Sequence, residues 1–145
     1  MKTSANGRKL ITQREGCRLT AYLDSVGVYT IGVGHAATSG VPPIPRKGMR
    51  ITAQQADELL TTDLARYEDT VNRAVTVPLT QAQFDACISL CFNIGQRGFA
   101  HSTVVARLNR KDYQGAADAF LLWQHPPELR GRREAERRQF LGGKP

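Results

Sequence analysis

The sequence predicts an α+β protein that is mostly helical. A small N-terminal lobe with a β-hairpin sheet is joined by a long helix to a C-terminal helical lobe. Three observations predict this. Residues 18–34 read as two short strands around a turn at Ser25-Val26-Gly27. Beyond residue 52 the apolar residues recur at the helical period. The pairs Thr52/Gln55 and Thr80/Gln83 each have capping-box spacing, which marks two helix starts.

In chain order, residues 5–14 have helical composition with Leu10 and Ile11 as the apolar side, and Glu15-Gly16 supplies a stop. After the hairpin, Pro42, Pro43 and Pro45 make the stretch from Ser39 to Met49 a loop. The series Ala56, Leu59, Leu60, Leu64, Tyr67, Val71 and Val75 then predicts a helix from about 53 to 74. At about 1.5 Å per residue that helix is roughly 30 Å long, enough to link two lobes. The segment after Thr80 is apolar nearly all round, from Phe84 to Phe92, as expected of a buried central helix that Gly95 ends. Ser102 is expected to cap a helix to about Leu108, and Asp112 one to about Trp123. Pro126-Pro127 then open a last helix near 128–141.

A length of 145 residues with 41% apolar and 23% charged composition suits one domain and excludes a disordered chain. No apolar run approaches the roughly 20 residues that span a bilayer. The polar start, Met1 to Lys9, has no signal-peptide core, so cytosolic synthesis is expected. The net charge of +7 points to an anionic partner. Neither a recognition helix nor an aromatic nucleic-acid surface stands out, so nucleic acid is not the expected one. Cys17, Cys87 and Cys91 cannot all pair, and no Cys/His spacing suggests zinc. Reduced thiols, no metal and no cofactor are expected.

Three residues carry candidate chemistry. Glu15 lies in the last turn of a helix, at the negative end of its dipole, a position that suits a group donating a proton. If Ser25-Val26-Gly27 is a three-residue loop, Tyr22 lies opposite Thr30, and Asp24 shares a face with Thr30 as a diagonal neighbour roughly 7–8 Å away. A loop one residue longer puts the two on opposite faces. Taken singly, these are a solvated helix-end glutamate, a turn-starting aspartate and a strand-forming threonine. Together they form a kit for inverting glycoside hydrolysis, with one carboxyl group as acid and the other activating water.

The block Arg14-Glu-Gly-Cys-Arg-Leu-Thr-Ala-Tyr-Leu-Asp-Ser-Val-Gly-Val-Tyr-Thr-Ile-Gly-Val-Gly-His35 resembles the bacteriophage-type lysozymes, or endolysins, of glycoside hydrolase family 24. The likeness continues in Leu79-Thr-Gln-Ala-Gln-Phe-Asp-Ala, Phe92-Asn-Ile-Gly, Ser102-Thr-Val-Val-Ala-Arg-Leu-Asn and Gly131-Arg-Arg-Glu-Ala-Glu-Arg-Arg-Gln-Phe-Leu. It implies a single lysozyme-like domain: an α+β lobe over about 14–52, a connecting helix over about 53–74, and a helical lobe over about 75–145 packed with the N-terminal helix. It implies a metal-free, monomeric muramidase that cuts the β-1,4 bond between N-acetylmuramic acid and N-acetylglucosamine in peptidoglycan with inversion, causing host lysis. Glu15 matches the family's general acid, Asp24 the residue assisting the attacking water, and Thr30 the hydroxyl that helps hold it. Gly34, His35, Phe92 and Ser102 match sugar-contacting positions, while a further polar contact falls on apolar Ala119. Arg132 matches a cation that pairs with the acid, with Arg130 and Arg133 at neighbouring alignments. A separate holin-type membrane protein is implied for release from the host cytoplasm to the wall in the periplasm.

Other signals have ordinary readings. His35 has no partner at ligand spacing and is expected to be a structural hydrogen-bonding histidine, and Trp123 with Phe120 reads as core. The basic run from Arg130 to Arg138 reads mostly as a solvated helix face, drawn to anionic cell-envelope polymers. Two rival functions remain. A lytic transglycosylase acts on the same bond but uses no water, which leaves Asp24 and Thr30 without a task. A non-catalytic cationic protein would bind walls or disrupt membranes.

Overall fold

The computed structural model describes residues 1–143. The chain divides into two units, Arg8–Asp63 and Met1–Gly7 with Leu64–Pro145, so the divisions fall inside its first two helices. The first helix, α1, runs Ala5–Glu15. Left-handed Gly16 closes it, donating its N–H to the Thr12 carbonyl at 2.8 Å.

In the unit Arg8–Asp63, β1 (Arg18–Leu23), β2 (Tyr29–Gly32) and β3 (His35–Ala36) form an antiparallel sheet in that order. Tyr22 pairs with Thr30 and Leu23 with Tyr29, and the register is irregular between Arg18 and Tyr22. There β1 turns its other edge to residues 49–51, donating from Ala21 N–H to the Met49 carbonyl and accepting Ile51 N–H at the Leu19 carbonyl, both at 2.8 Å. Helix α2, Ala53–Ala74, starts with the expected capping box: Thr52 N–H donates to Gln55 Oε1 at 2.8 Å and Gln55 N–H to Thr52 Oγ1 at 3.1 Å. Ile11, Ile31, Val33, Leu59 and Leu60 are among the buried apolar side chains of this unit.

In the other unit, α3 (Gln81–Ile94) also begins with its capping box, at Thr80/Gln83. Every residue from Phe84 to Cys91 is buried, as the all-round apolar pattern predicts. Then follow α4 (Gln96–Ala100), α5 (Thr103–Asn109, capped by Ser102), α6 (Tyr113–Ala119, capped by Asp112) and α7 (Arg130–Phe140). Helix α7 packs against α3, and the Phe120 and Phe140 rings lie 5.5 Å apart.

Some sequence expectations need correction. Strand β3 and helix α4 were not foreseen, being two and five residues long. The helix expected to reach Trp123 ends at Ala119, where the chain tightens into a 3-10 turn over Phe120–Leu122 before Trp123 leaves helical dihedrals. Most telling, α7 is solvated on one side only: Arg130, Glu134 and Arg138 are exposed, whereas Arg133, Glu136, Gln139 and Phe140 are buried along the other. Charged residues at the spacing of a core stripe are core when their partners are too.

Candidate active site

The site is clearest in the β1–β2 hairpin. The Asp24 carbonyl accepts Gly27 N–H at 3.0 Å, and Asp24 N–H donates to the Val28 carbonyl at 2.9 Å. Gly27, at φ +80, supplies the left-handed residue that a three-residue hairpin loop requires. The loop therefore has the shorter of the two lengths considered. With Tyr22 opposite Thr30, Asp24 and Thr30 share one face of the hairpin.

The side chain of Asp24 organises this loop. Its Oδ1 accepts the backbone N–H groups of Val26 at 3.0 Å and Val28 at 2.8 Å, an arrangement that short aspartate side chains favour in turns. Among the described residues, Oδ2 accepts no hydrogen bond. Thr30 is buried, and its hydroxyl donates to the Val28 carbonyl at 3.1 Å. With the proton so directed, the Thr30 oxygen offers only lone pairs to anything that binds beside it. The peptide groups of Val28 thus tie both side chains to one point of the backbone. Glu15 is the exposed last residue of α1, three positions before β1 begins.

The remaining candidates are placed less uniformly. The His35 ring is buried, with Nδ1 2.7 Å from Asp63 Oδ2 and Nε2 3.0 Å from both the Val41 and the Pro43 carbonyl oxygens. It is a structural histidine, as its sequence context suggests, and Gly34 beside it is exposed. Phe92 is half-buried with its ring 5.1 Å from that of Tyr67. Ser102 is buried and accepts Val105 N–H at 3.2 Å as the α5 cap. Arg132 donates from Nε to Glu136 Oε2 at 3.2 Å and from Nη2 to the Ser89 carbonyl at 3.1 Å. Of its neighbours, Arg133 is wholly buried, whereas Arg130 is largely exposed and lies 3.8 Å from Glu134. Trp123 lies against Gly98, where an added Cβ would come 3.5 Å from the indole.

Sequence reasoning missed Ser89, Asn93 and Glu136, which join Arg132 and Arg133 in one network. The available signal was the Arg133, Glu136, Phe140 spacing on α7, the same stripe that a helix buries when its residues are apolar.

Among the described residues no group of three or more His, Cys, Asp or Glu is placed to hold a metal ion, and no helix is long and apolar enough to cross a membrane. The three cysteines are free, Cys17 exposed and the other two buried. Burial pushes the Cys91 thiol up to about 12, and burial aided by Cys91 and Glu136 pushes Cys87 up further.

Comparison with known proteins puts this mostly helical chain with its small sheet in the lysozyme class of glycoside hydrolases. Residues 12–136 match the family model described as phage lysozyme. The endolysin of Salmonella phage P22 is 49% identical over 145 residues, covering 97% of this chain and 99% of that protein. A crystal structure of a P22 lysozyme mutant matches with a TM-score of 0.90 at 50% identity, covering 97% of this chain and 99% of its own. The muramidase domain of SpmX from Asticaccaulis excentricus matches with a TM-score of 0.85 at 39% identity, covering 97% of each chain. The chain belongs to the phage lysozyme family. It is a glycoside hydrolase, a muramidase of the endolysin kind.

Proposed function

We propose that the enzyme hydrolyses the β-1,4 bond between N-acetylmuramic acid and N-acetylglucosamine by a single displacement, with Glu15 as acid and Asp24 and Thr30 holding the water. The observation that carries this reading is the hairpin register, which sets Asp24 and Thr30 on one face. A water between them gives one hydrogen to Asp24 Oδ2 and the other to the Thr30 oxygen. Its own lone pair is then left to attack the anomeric carbon. Asp24 takes the proton as the new bond forms, and Glu15 protonates the departing sugar oxygen. No covalent sugar intermediate is needed, so configuration inverts.

Substrate contacts are assigned to Gly34, His35, Phe92 and Ser102. With the His35 ring occupied elsewhere, its share falls to the backbone of the Gly34-His35 turn. Arg132 is the cation assigned to pair with Glu15. The enzyme acts as a monomer on peptidoglycan, reaching the wall from the host cytoplasm after a separate holin-type protein opens the membrane. Its formal charge of +7 favours approach to anionic envelope polymers.

The test is product analysis on purified sacculi. Glu15→Gln should lose lysis while melting like wild type, and wild-type activity in that variant would remove Glu15 from the role. Proton NMR of freshly cut sugar should show the α-anomer first. First appearance of the β-anomer would reject single displacement, and an anhydro sugar in the mass spectrum would move the reaction to transglycosylation.

A further inference from the structure

We infer that Glu136 is a positioning residue for the reaction, acting through Arg132. The inference rests on the reading of Arg132 as the cation beside the acid. Glu136 is wholly buried on α7, yet its carboxylate is fully engaged. Oε2 accepts Ser89 Oγ at 2.5 Å and Arg132 Nε at 3.2 Å, and Oε1 accepts Arg133 Nη1. Arg133, with no exposed surface, spends its other donors on structure: Nε on the Trp123 carbonyl at 2.9 Å and Nη2 on Asn93 Oδ1.

The arrangement treats the two arginines differently. Arg133 is consumed in holding Glu136, Asn93 and the Trp123 backbone together. Arg132 is gripped along its Nε–Nη2 edge, by Glu136 from its own helix and by the Ser89 carbonyl from α3. A planar guanidinium held at two points on one edge has its plane and direction fixed. Its side chain keeps 10% exposure, against none for Arg133. One buried carboxylate shared by two guanidinia leaves the three side chains with a formal charge of +1. A cation whose direction is set in advance needs no reorganisation when charge changes beside it during the reaction.

The test is a double-mutant cycle in kcat on purified sacculi, with thermal melting recorded for every variant. Arg132→Ala should lower kcat. Glu136→Gln should lower kcat by about 10- to 100-fold with KM unchanged, the scale of a misplacement of about 1 Å. In the Arg132→Ala background Glu136→Gln should then add nothing, because a positioning residue has nothing left to position. A merely structural Glu136 would lower the melting temperature in both backgrounds without this coupling. Unchanged kcat in folded Glu136→Gln, or a loss that multiplies that of Arg132→Ala, overturns the inference. Unchanged kcat in Arg132→Ala instead overturns the reading beneath it, and the inference falls with it. Should Glu136→Gln fail to fold, Arg132→Lys decides. Lysine keeps the charge but has no planar edge to fix its direction between Ser89 and Glu136, so it should lose as much as alanine, and wild-type kcat in that variant refutes the role of the grip.

Discussion

Replacing Asp24 by Asn separates the turn bonds of that side chain from its proposed work on the attacking water. In Asp24→Asn the amide oxygen can still accept the N–H groups of Val26 and Val28, while an NH2 group takes the place of Oδ2. A hydrogen bond to a charged acceptor is worth about 1.5–3 kcal/mol and a neutral one about 0.5–1.5. The two bonds together therefore lose about 2–3 kcal/mol. For a chain of this size that is a fall in melting temperature of about 4–12 °C. The catalytic effect is of another order. A water facing an NH2 donor has no base to take its proton, and loss of general-base assistance costs about 10²- to 10⁴-fold. Asp24→Ala removes the turn acceptor as well, so it should melt lower than the Asn variant while being equally inactive. The assay is initial clearing of purified sacculi at 25 °C, beside melting curves of all three proteins. If Asp24→Asn keeps more than a tenth of the wild-type rate, Asp24 does not activate the water. If Asn and Ala melt alike, the hairpin does not depend on the Oδ1 bonds.

Three further outcomes follow from packing and burial. Asp63→Ala takes away the acceptor 2.7 Å from buried His35 Nδ1, and should cost about 1–3 kcal/mol in urea unfolding. An unchanged midpoint would mean that the pair does not support the fold. At Gly7 an added Cβ would sit 2.7 Å from Asp85 Cγ and 2.8 Å from Thr3 Cγ2, so Gly7→Ala should destabilise by about 1–3 kcal/mol. A neutral result would show that the N-terminal turn yields at no cost. For the thiols, one residue, Cys17, should react with a disulfide reagent in the native state at pH 8, and Cys87 and Cys91 only after unfolding. Because Cys91 in the fold titrates near 12 instead of 9.0, its contribution to stability is complete below pH 9 and is lost as pH rises toward 12. Melting temperature should therefore fall more steeply between pH 9 and 11 in wild type than in Cys91→Ala, and equal slopes would reject the assignment.

What the sequence makes legible is what short stretches of chain decide. The two capping boxes close within three residues, so Thr52/Gln55 and Thr80/Gln83 could be read directly. The hairpin loop is set by Asp24 and Gly27, and with it the common face of Asp24 and Thr30. The members of the candidate triad lie within sixteen positions of one another. Strand β3, by contrast, has two residues whose only warrant is pairing with β2, through Thr30 with Ala36 and Ile31 with His35. The α7 network joins residues 40 or more positions apart, Ser89 to Glu136 and Asn93 to Arg133, and the local sign of it in a run of arginines and glutamates is no more than the Arg133, Glu136, Phe140 spacing. Burial of a charge is decided by its distant partners. The parts proposed for Phe92, Ser102 and Arg132 rest on family likeness, because what the structure shows of each is packing, capping or ion pairing.

The anchoring of both Asp24 and Thr30 to the peptide groups of Val28 has a practical corollary. The bonds involve only main-chain atoms of residue 28, and Ser25 and Val26 at the tip are exposed. A library that randomises those two tip positions should return many working lysins, provided glycine stays at 27. A library that adds or deletes one codon there should return almost none, since a loop of another length takes Asp24 and Thr30 off their common face.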